Sequence, residues 1–317
     1  MKTSISFILS NYTLKEYDSM EDLENSIHSM GVDGMEVVRV GDINLENTDL
    51  INGVHLPFFT SWMDYYLQNT DHLVKEFGSL EKAKSFYGYG PDKLHKYYES
   101  DLKFAEDYGE YTVFHLANIA TQNYLSSRSY YTSKEVIETS LEMINKLLQN
   151  RNSKNLFLLE NLYYSGLTFL EPKLTEQLIE GLETDHKGFM LDTGHLMCTN
   201  PRIRTEEEGW DYVLDILKMN EPFLKHIRGI HLHATTGSHL YHEIKENPPA
   251  YIKDFDERFK YLYDHVGEID QHRIATSDKV NRVLDLVQPD FLTLEFKSNS
   301  RQEQEILAKR QMEILNL

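Results

Sequence analysis

The sequence predicts an α/β fold, a closed (β/α)8 barrel, on two observations. Short apolar runs recur eight times along the 317 residues, at 4–9, 34–40, 53–59, 111–116, 156–160, 188–192, 227–233 and 291–295. Between most of them lie stretches whose apolar residues repeat at helical spacing. Strands buried on both faces and alternating with helices specify a parallel sheet, because each crossover lays a helix over it. Eight such units close into a TIM barrel of about 250 residues, and insertions account for the remainder. Residues 1–317 are therefore expected to form a single domain.

The first unit shows its punctuation most clearly. After run 4–9, Ser19 precedes Glu21 and Asp22 as a helix start, and Gly31 supplies the stop. The stretch 134–148 places Val136, Ile137, Leu141, Ile144, Leu147 and Leu148 at helical spacing, and 174–182, 210–219 and 279–287 follow the same rule. Two connections exceed what a bare barrel needs. One is an extended region between the third strand and the third helix, residues 60–110. It carries Trp62, Tyr65, Tyr66, Phe77, Phe86, Tyr87, Tyr89, Tyr97 and Tyr98. These aromatics are expected to pack an extra helical layer; the alternative is a wall or lid over a bulky apolar substrate. The other is a long loop between the seventh strand and the seventh helix, residues 234–289, with Pro248–Pro249 and a charged helix near 255–266.

Composition narrows the function classes. Hydrophobic residues make up 40% of the chain, enough for a core, while the net charge is −19. A general binder of nucleic acid or of anionic membranes needs a basic face, which this balance argues against. One cysteine, Cys198, excludes an intramolecular disulfide and fits a reducing compartment. Cys198 is expected to be a buried filler rather than a reactive thiol. The start of the chain lacks the apolar core of a signal peptide, and nothing reaches the ~18 apolar residues of a membrane helix. The expected location is cytoplasmic.

Chemistry concentrates by position. In a barrel of this kind the C-terminal ends of the strands form the active-site face. Those ends offer, in order, His55, His115, Glu160, Asp192 with His195, His231 with His233, and Glu295. Glu160 closes the apolar run Leu156-Phe157-Leu158-Leu159, and Glu295 closes Phe291-Leu292-Thr293-Leu294. A buried carboxylate without a partner is costly, so each requires a cation. No lysine or arginine closes the other runs as these imidazoles do, and a metal ion satisfies the whole set. Imidazole with carboxylate is the ligand mix of zinc, manganese or iron(II). His231-x-His233 projects both rings to one side of a strand, although one ligand there suffices. Asp270-x-His272, inside the long last connection, repeats the carboxylate–imidazole pairing of Asp192-x-x-His195. A histidine alone is more often an ordinary hydrogen-bonded residue, and His28, His72, His95, His186, His226, His239, His242 and His265 are assigned that role. Coincidence across nearly every strand from the third to the eighth sets the others apart.

The segments Gly53-Val54-His55-Leu56-Pro57, Phe114-His115, Leu159-Glu160-Asn161, Leu191-Asp192-Thr193-Gly194-His195, Ile230-His231-Leu232, Asp270-Gln271-His272 and Leu294-Glu295 follow one another in a telling order. Through them nearly the whole chain resembles the xylose-isomerase-like TIM-barrel superfamily, which includes sugar phosphate isomerases and epimerases and AP endonuclease family 2. The resemblance implies one shared metal on Glu160, Asp192, His231 and Glu295. The endonuclease-like branch adds His55 and His115 with a bridging Glu160, and His195, Asp270 and His272. All nine positions are filled, which favours a zinc-dependent phosphodiesterase with one to three ions, manganese or cobalt being alternatives. Glu160, Glu295 and His195 are the implied catalytic residues. The expected substrate is a small or bulky phosphodiester, such as a cobamide handled by the cobamide-remodelling branch, rather than DNA. The alternative is a sugar (phosphate) isomerase or epimerase, with one ion and the Glu160–Glu295 pair moving a proton. A third reading, a non-catalytic metal- or metabolite-binding barrel, predicts ligand binding without turnover.

Overall fold

Eight parallel strands pair in sequence order: β1 (Lys2–Leu9), β2 (Gly34–Arg39), β3 (Ile51–His55), β4 (Tyr111–His115), β5 (Leu156–Glu160), β6 (Lys187–Asp192), β7 (Ile227–Leu232) and β8 (Phe291–Leu294). β8 returns to β1, with Thr3 opposite Leu292, and closes the barrel. The α/β expectation of a (β/α)8 TIM barrel is met, and each of the eight apolar runs overlaps a strand. This computed structural model describes residues 1–41, 43, 49–58, 61–87, 90–126, 128–151 and 153–317, with Tyr87 by its backbone alone.

The third run is longer than its strand, for a covalent reason. Leu56 N still donates to Val113 O at 2.9 Å, but Pro57 has no N–H to continue the ladder. The rest of that run, Phe59, lies outside the described residues, as does Thr60. Ser19 caps the first helix, Met20–Ser29, by accepting from Asp22 N, and Gly31 takes the left-handed φ of +81° just beyond it. The helix expected over 210–219 starts earlier, at Glu206. Thr205 and Glu208 form a reciprocal capping box that satisfies N–H groups ahead of the apolar stretch.

The extended region after β3 folds into helices Trp62–Tyr66, Thr70–Phe77, Leu80–Tyr87 and Pro91–Tyr108. Trp62, Tyr65, Tyr66, Phe77 and Tyr98 are buried, so these aromatics do build an extra helical layer. Tyr89 lies outside the described residues. The long connection after β7 contributes helices Ser238–Glu246 and Phe255–Ile269 before the last barrel helices.

A buried ionic knot ties these two additions together. Glu76, from the extra layer, accepts from Thr121 N at 2.8 Å and from Thr121 Oγ1 at 2.6 Å. Arg258, from helix Phe255–Ile269, lies 3.3 Å from the same carboxylate and donates to Thr121 Oγ1 and to Glu76 O. Glu76 and Arg258 are each 1% exposed, and Arg258 also donates to Ile252 O at 2.9 Å. Among the described residues no helix is long and apolar enough to cross a membrane.

Candidate metal centre

The strand ends converge as the spacing requires. Glu160 closes β5 opposite His115 at the end of β4, and Asp192 closes β6 opposite His231 on β7. Glu160 is the hub. Its Oε2 lies 3.1 Å from His55 Nε2 and 3.1 Å from His115 Nε2. Its Oε1 lies 3.3 Å from His195 Nδ1 and 3.4 Å from His231 Nδ1. Glu295 Oε2, just past β8, is 3.1 Å from His231 Nδ1. Asp270 Oδ2 is 3.2 Å from His195 Nε2 and 2.9 Å from His272 Nε2. His272 holds a left-handed φ of +47°, which turns the chain so that its ring meets Asp270 two residues back.

Each of four rings is anchored at one nitrogen and offers the other to the cluster. His55 Nδ1 donates to Leu56 O at 2.7 Å, His195 Nδ1 to Asn161 O at 3.0 Å, and His272 Nδ1 to Glu295 O at 2.8 Å. A carbonyl only accepts, so those nitrogens carry hydrogen and the opposite Nε2 atoms face the carboxylates. His231 is turned the other way. Its Nε2 lies 2.9 Å from Glu36 Oε1, and its Nδ1 faces Glu160 and Glu295. Fixing one nitrogen by a carbonyl or carboxylate is how metal-ligating histidines are oriented.

Glu36 was not among the residues singled out by sequence. It sits on β2 inside the barrel, 2% exposed, and accepts from Tyr111 Oη at 2.8 Å and Thr293 Oγ1 at 2.9 Å. Gly53 makes room for Tyr111, because a Cβ there would collide with its ring. The signal was present: Glu36 is a carboxylate within the apolar run 34–40. His233, named with His231 from the sequence but not counted among the nine ligands, also joins the cluster. It is fully buried, stacks on His272 with centroids 3.9 Å apart, and places Nε2 3.0 Å from Asp192 Oδ2. Its ring lies where a Cβ on residue 194 would stand, so Gly194 is needed.

The nine residues expected to bind metal all reach this mouth, with one shift of partner. Asp192 Oδ1 accepts from His195 N at 2.6 Å, capping the short helix Thr193–Cys198, and its Oδ2 faces His233. Three groups bring their ligand atoms within 4.8 Å of one another: His55–His115–Glu160, Glu160–Asp192–His195, and His195–His233–Asp270–His272. A further group joins Asp192, His233 and Glu295. The donor set fits divalent cations. His231 Nδ1, His233 Nδ1, Asp270 Oδ1 and Glu295 Oε2 are buried and make no hydrogen bond, a deficit that positive charge would remove.

The electrostatics agree. Burial opposes ionisation of Glu160, but His115 and His231 outweigh it and hold the carboxyl well below its usual range. Burial likewise opposes charge on His195, and the Asp192 and Asp270 carboxylates overturn that and raise its pKa well above normal. For His115 burial prevails and lowers the pKa. Cys198, the expected filler, is buried; desolvation pushes its thiol far up, and its sulfur approaches Ile269 O at 3.7 Å.

No family model matches the chain, and no curated protein matches it. Solved structures do. A D-tagatose 3-epimerase-like protein is 16% identical over 100% of this chain and 98% of its own, with a TM-score of 0.52. An L-ribulose 3-epimerase is 12% identical over 100% and 94%, with a TM-score of 0.53. An IOLI protein with a bound zinc atom is 12% identical over 100% and 98%, with a TM-score of 0.53. At such identities the likeness is one of fold, and it bears out the TIM barrel. Two of these three carry epimerase names.

Proposed function

We propose that this protein is a divalent-metal-dependent isomerase or epimerase of a small polyhydroxylated substrate. The observation that carries the reading is the placement of Glu160 and Glu295 on two sides of His231 Nδ1, at 3.4 and 3.1 Å. When bound, a metal ion held by this group, with Asp192, would polarise a substrate carbonyl and acidify the carbon beside it. Both glutamates are poised as bases. Burial disfavours the charge on Glu295, but His231 and His272 more than offset it and keep the group ionised. One carboxylate takes the proton from that carbon. Return to the neighbouring carbon, with a hydroxyl proton passing between the two substrate oxygens, interconverts aldose and ketose. Inversion of the centre requires the second glutamate to have taken a proton from solvent first and to deliver it to the opposite face, the first releasing its own to solvent. His195, between the two ends of the site, would contact substrate oxygens. The names of the similar structures support this reading.

Incubation of aldose–ketose and epimer pairs with the protein and manganese, cobalt or zinc in deuterated water tests it. Turnover with deuterium incorporated at the reacting carbon is expected. Absence of exchange with every metal would defeat the proposal.

One observation favours a second reading, phosphodiester hydrolysis. His55 and His115 meet the same Glu160 oxygen, and His195, His233, Asp270 and His272 form a further group. A single-ion isomerase has no need of either. Elemental analysis separates the two readings. Two or three ions per chain, with hydrolysis of bis(4-nitrophenyl) phosphate, would establish hydrolysis; one ion, unaffected by His55→Ala or His272→Ala, would favour isomerisation.

A further inference from the structure

The mouth of the barrel opens into two cavities that share one edge, the first strongly apolar and the second mixed. The first, of about 440 Å³, is walled by Ile119, Tyr124, Leu162, Phe259, Leu262 and Val266, and its floor includes His55, His115 and His195. The second, of about 880 Å³, is lined by Thr13, Lys297, Ser298, Asn299, Ser300 and Gln304 among others. Phe58, Tyr263, Asp270, His272 and Glu295 border both. Three metal-ligand candidates, Asp270, His272 and Glu295, therefore lie at the junction, between the apolar wall and a lining that mixes Phe7, Ile8 and Phe296 with hydroxyl, amide and charged groups.

The apolar side is built to present ring faces. Tyr124 and Tyr163 bond to each other through their hydroxyls at 2.9 Å, which leaves one phenolic hydrogen between them for a further acceptor. Phe58 stacks on His115 at 4.7 Å yet remains 56% exposed, and Phe259 and Tyr263 are 47% and 76% exposed. Large apolar rings left open around a concave site mark a place for an apolar ligand group. A free sugar would bring hydroxyls to this wall and leave them without partners.

We infer that the substrate is a two-part molecule: a flat apolar ring system held in the first cavity, joined to a hydroxylated or anionic part in the second, with the reacting group between them. This rests on the mouth being the active site, as proposed above, and specifies what the site selects. It requires neither isomerisation nor hydrolysis.

Binding of 1-naphthyl phosphate and methyl phosphate to the zinc-loaded protein, measured by calorimetry, tests the inference without turnover. Both probes carry the same metal-seeking head, so their difference reads the apolar cavity alone. The naphthyl ester is expected to bind at least about tenfold more tightly. In the Phe259→Ala/Tyr263→Ala variant the two should bind within about twofold of each other, with methyl phosphate unchanged. Both side chains are exposed, so the variant is expected to fold; circular dichroism checks this, and Phe58→Ala provides an independent second variant. Equal binding of the two probes by the unmodified protein, or a preference that survives both variants, would overturn the inference. Tight naphthyl binding with no isomerase activity would sustain it while defeating the proposed reaction.

Discussion

Two regions of this molecule bury carboxylates, and they treat them in opposite ways. Glu76 meets Arg258 and the N–H and hydroxyl of Thr121, and the guanidinium's other donors find carbonyls. That knot closes its own account of charge and hydrogen bonds. At the barrel mouth, Glu160, Asp192, Asp270 and Glu295 face imidazoles, and four buried polar atoms of the cluster make no hydrogen bond. Imidazole is a weak, titrating cation with a lone pair to offer, whereas guanidinium is a permanent cation with none. The first region is finished by the protein; the second leaves buried polar atoms that a cation could satisfy. A buried carboxylate alone signals neither structure nor chemistry. The partner decides.

Breaking the hub should have the largest effect. Glu160→Gln removes the charge shared by four histidines, and turnover should fall about a thousandfold, within the range for loss of an acid–base group. Calorimetric melting should show the fold retained, and metal analysis should show fewer ions bound. In the knot the order is reversed: Arg258→Ala should leave the metal content intact but cost about 3–5 kcal/mol of stability, measured by urea unfolding, because it strands a buried carboxylate. Equal stability losses in the two variants would erase the contrast.

Glu36→Gln sharpens the comparison. Glu36 fixes which nitrogen of His231 faces the glutamates, so its removal should weaken metal binding by about 10- to 100-fold. Competition with a chromophoric chelator reads this, and a change in the Co(II) spectrum would distinguish reorientation of His231 from simple loss of stability. The smallest effect concerns pH. Burial works against a charged His272, but Asp270 prevails and raises its pKa to about 9. In chelator-treated protein the stabilisation from this pair is complete below the free-imidazole value of about 6.5 and is lost as pH rises through about 9. The gap in Tm between chelated wild type and His272→Asn should therefore narrow over that range. A constant gap would show that the pair does not titrate as described.

Much of this was legible in the sequence because barrel strands are short, apolar and doubly buried, so a polar residue ending one is conspicuous. Glu160 and Glu295 stand out for that reason, and the nine expected residues do converge. Glu36 was hidden because it lies within its strand, where alternating faces cannot be assigned without the register. Which partner Asp192 would take was also hidden, since its choice of His233 depends on the bare backbone of Gly194. The aromatics of residues 60–110 are expected first of all to pack an extra helical layer, and Trp62, Tyr65, Tyr66, Phe77 and Tyr98 do so. The apolar cavity is lined by residues from several other segments, including Tyr124, Leu162 and Phe259, brought together by tertiary folding. Periodicity reports which face is buried, not what it is buried against.

The Glu76–Arg258–Thr121 knot also bears on how this protein could diversify. It fastens the extra helical layer to the helix carrying Phe259 and Tyr263 and to the segment after β4 carrying Tyr124. His55, His115, Glu160 and Asp192 end strands of the barrel, whereas Asp270 and His272 follow directly on the helix that carries Phe259 and Tyr263. A change in the outer layer would therefore reach the cavity wall and this pair together, while the residues that end the barrel strands keep their own footing.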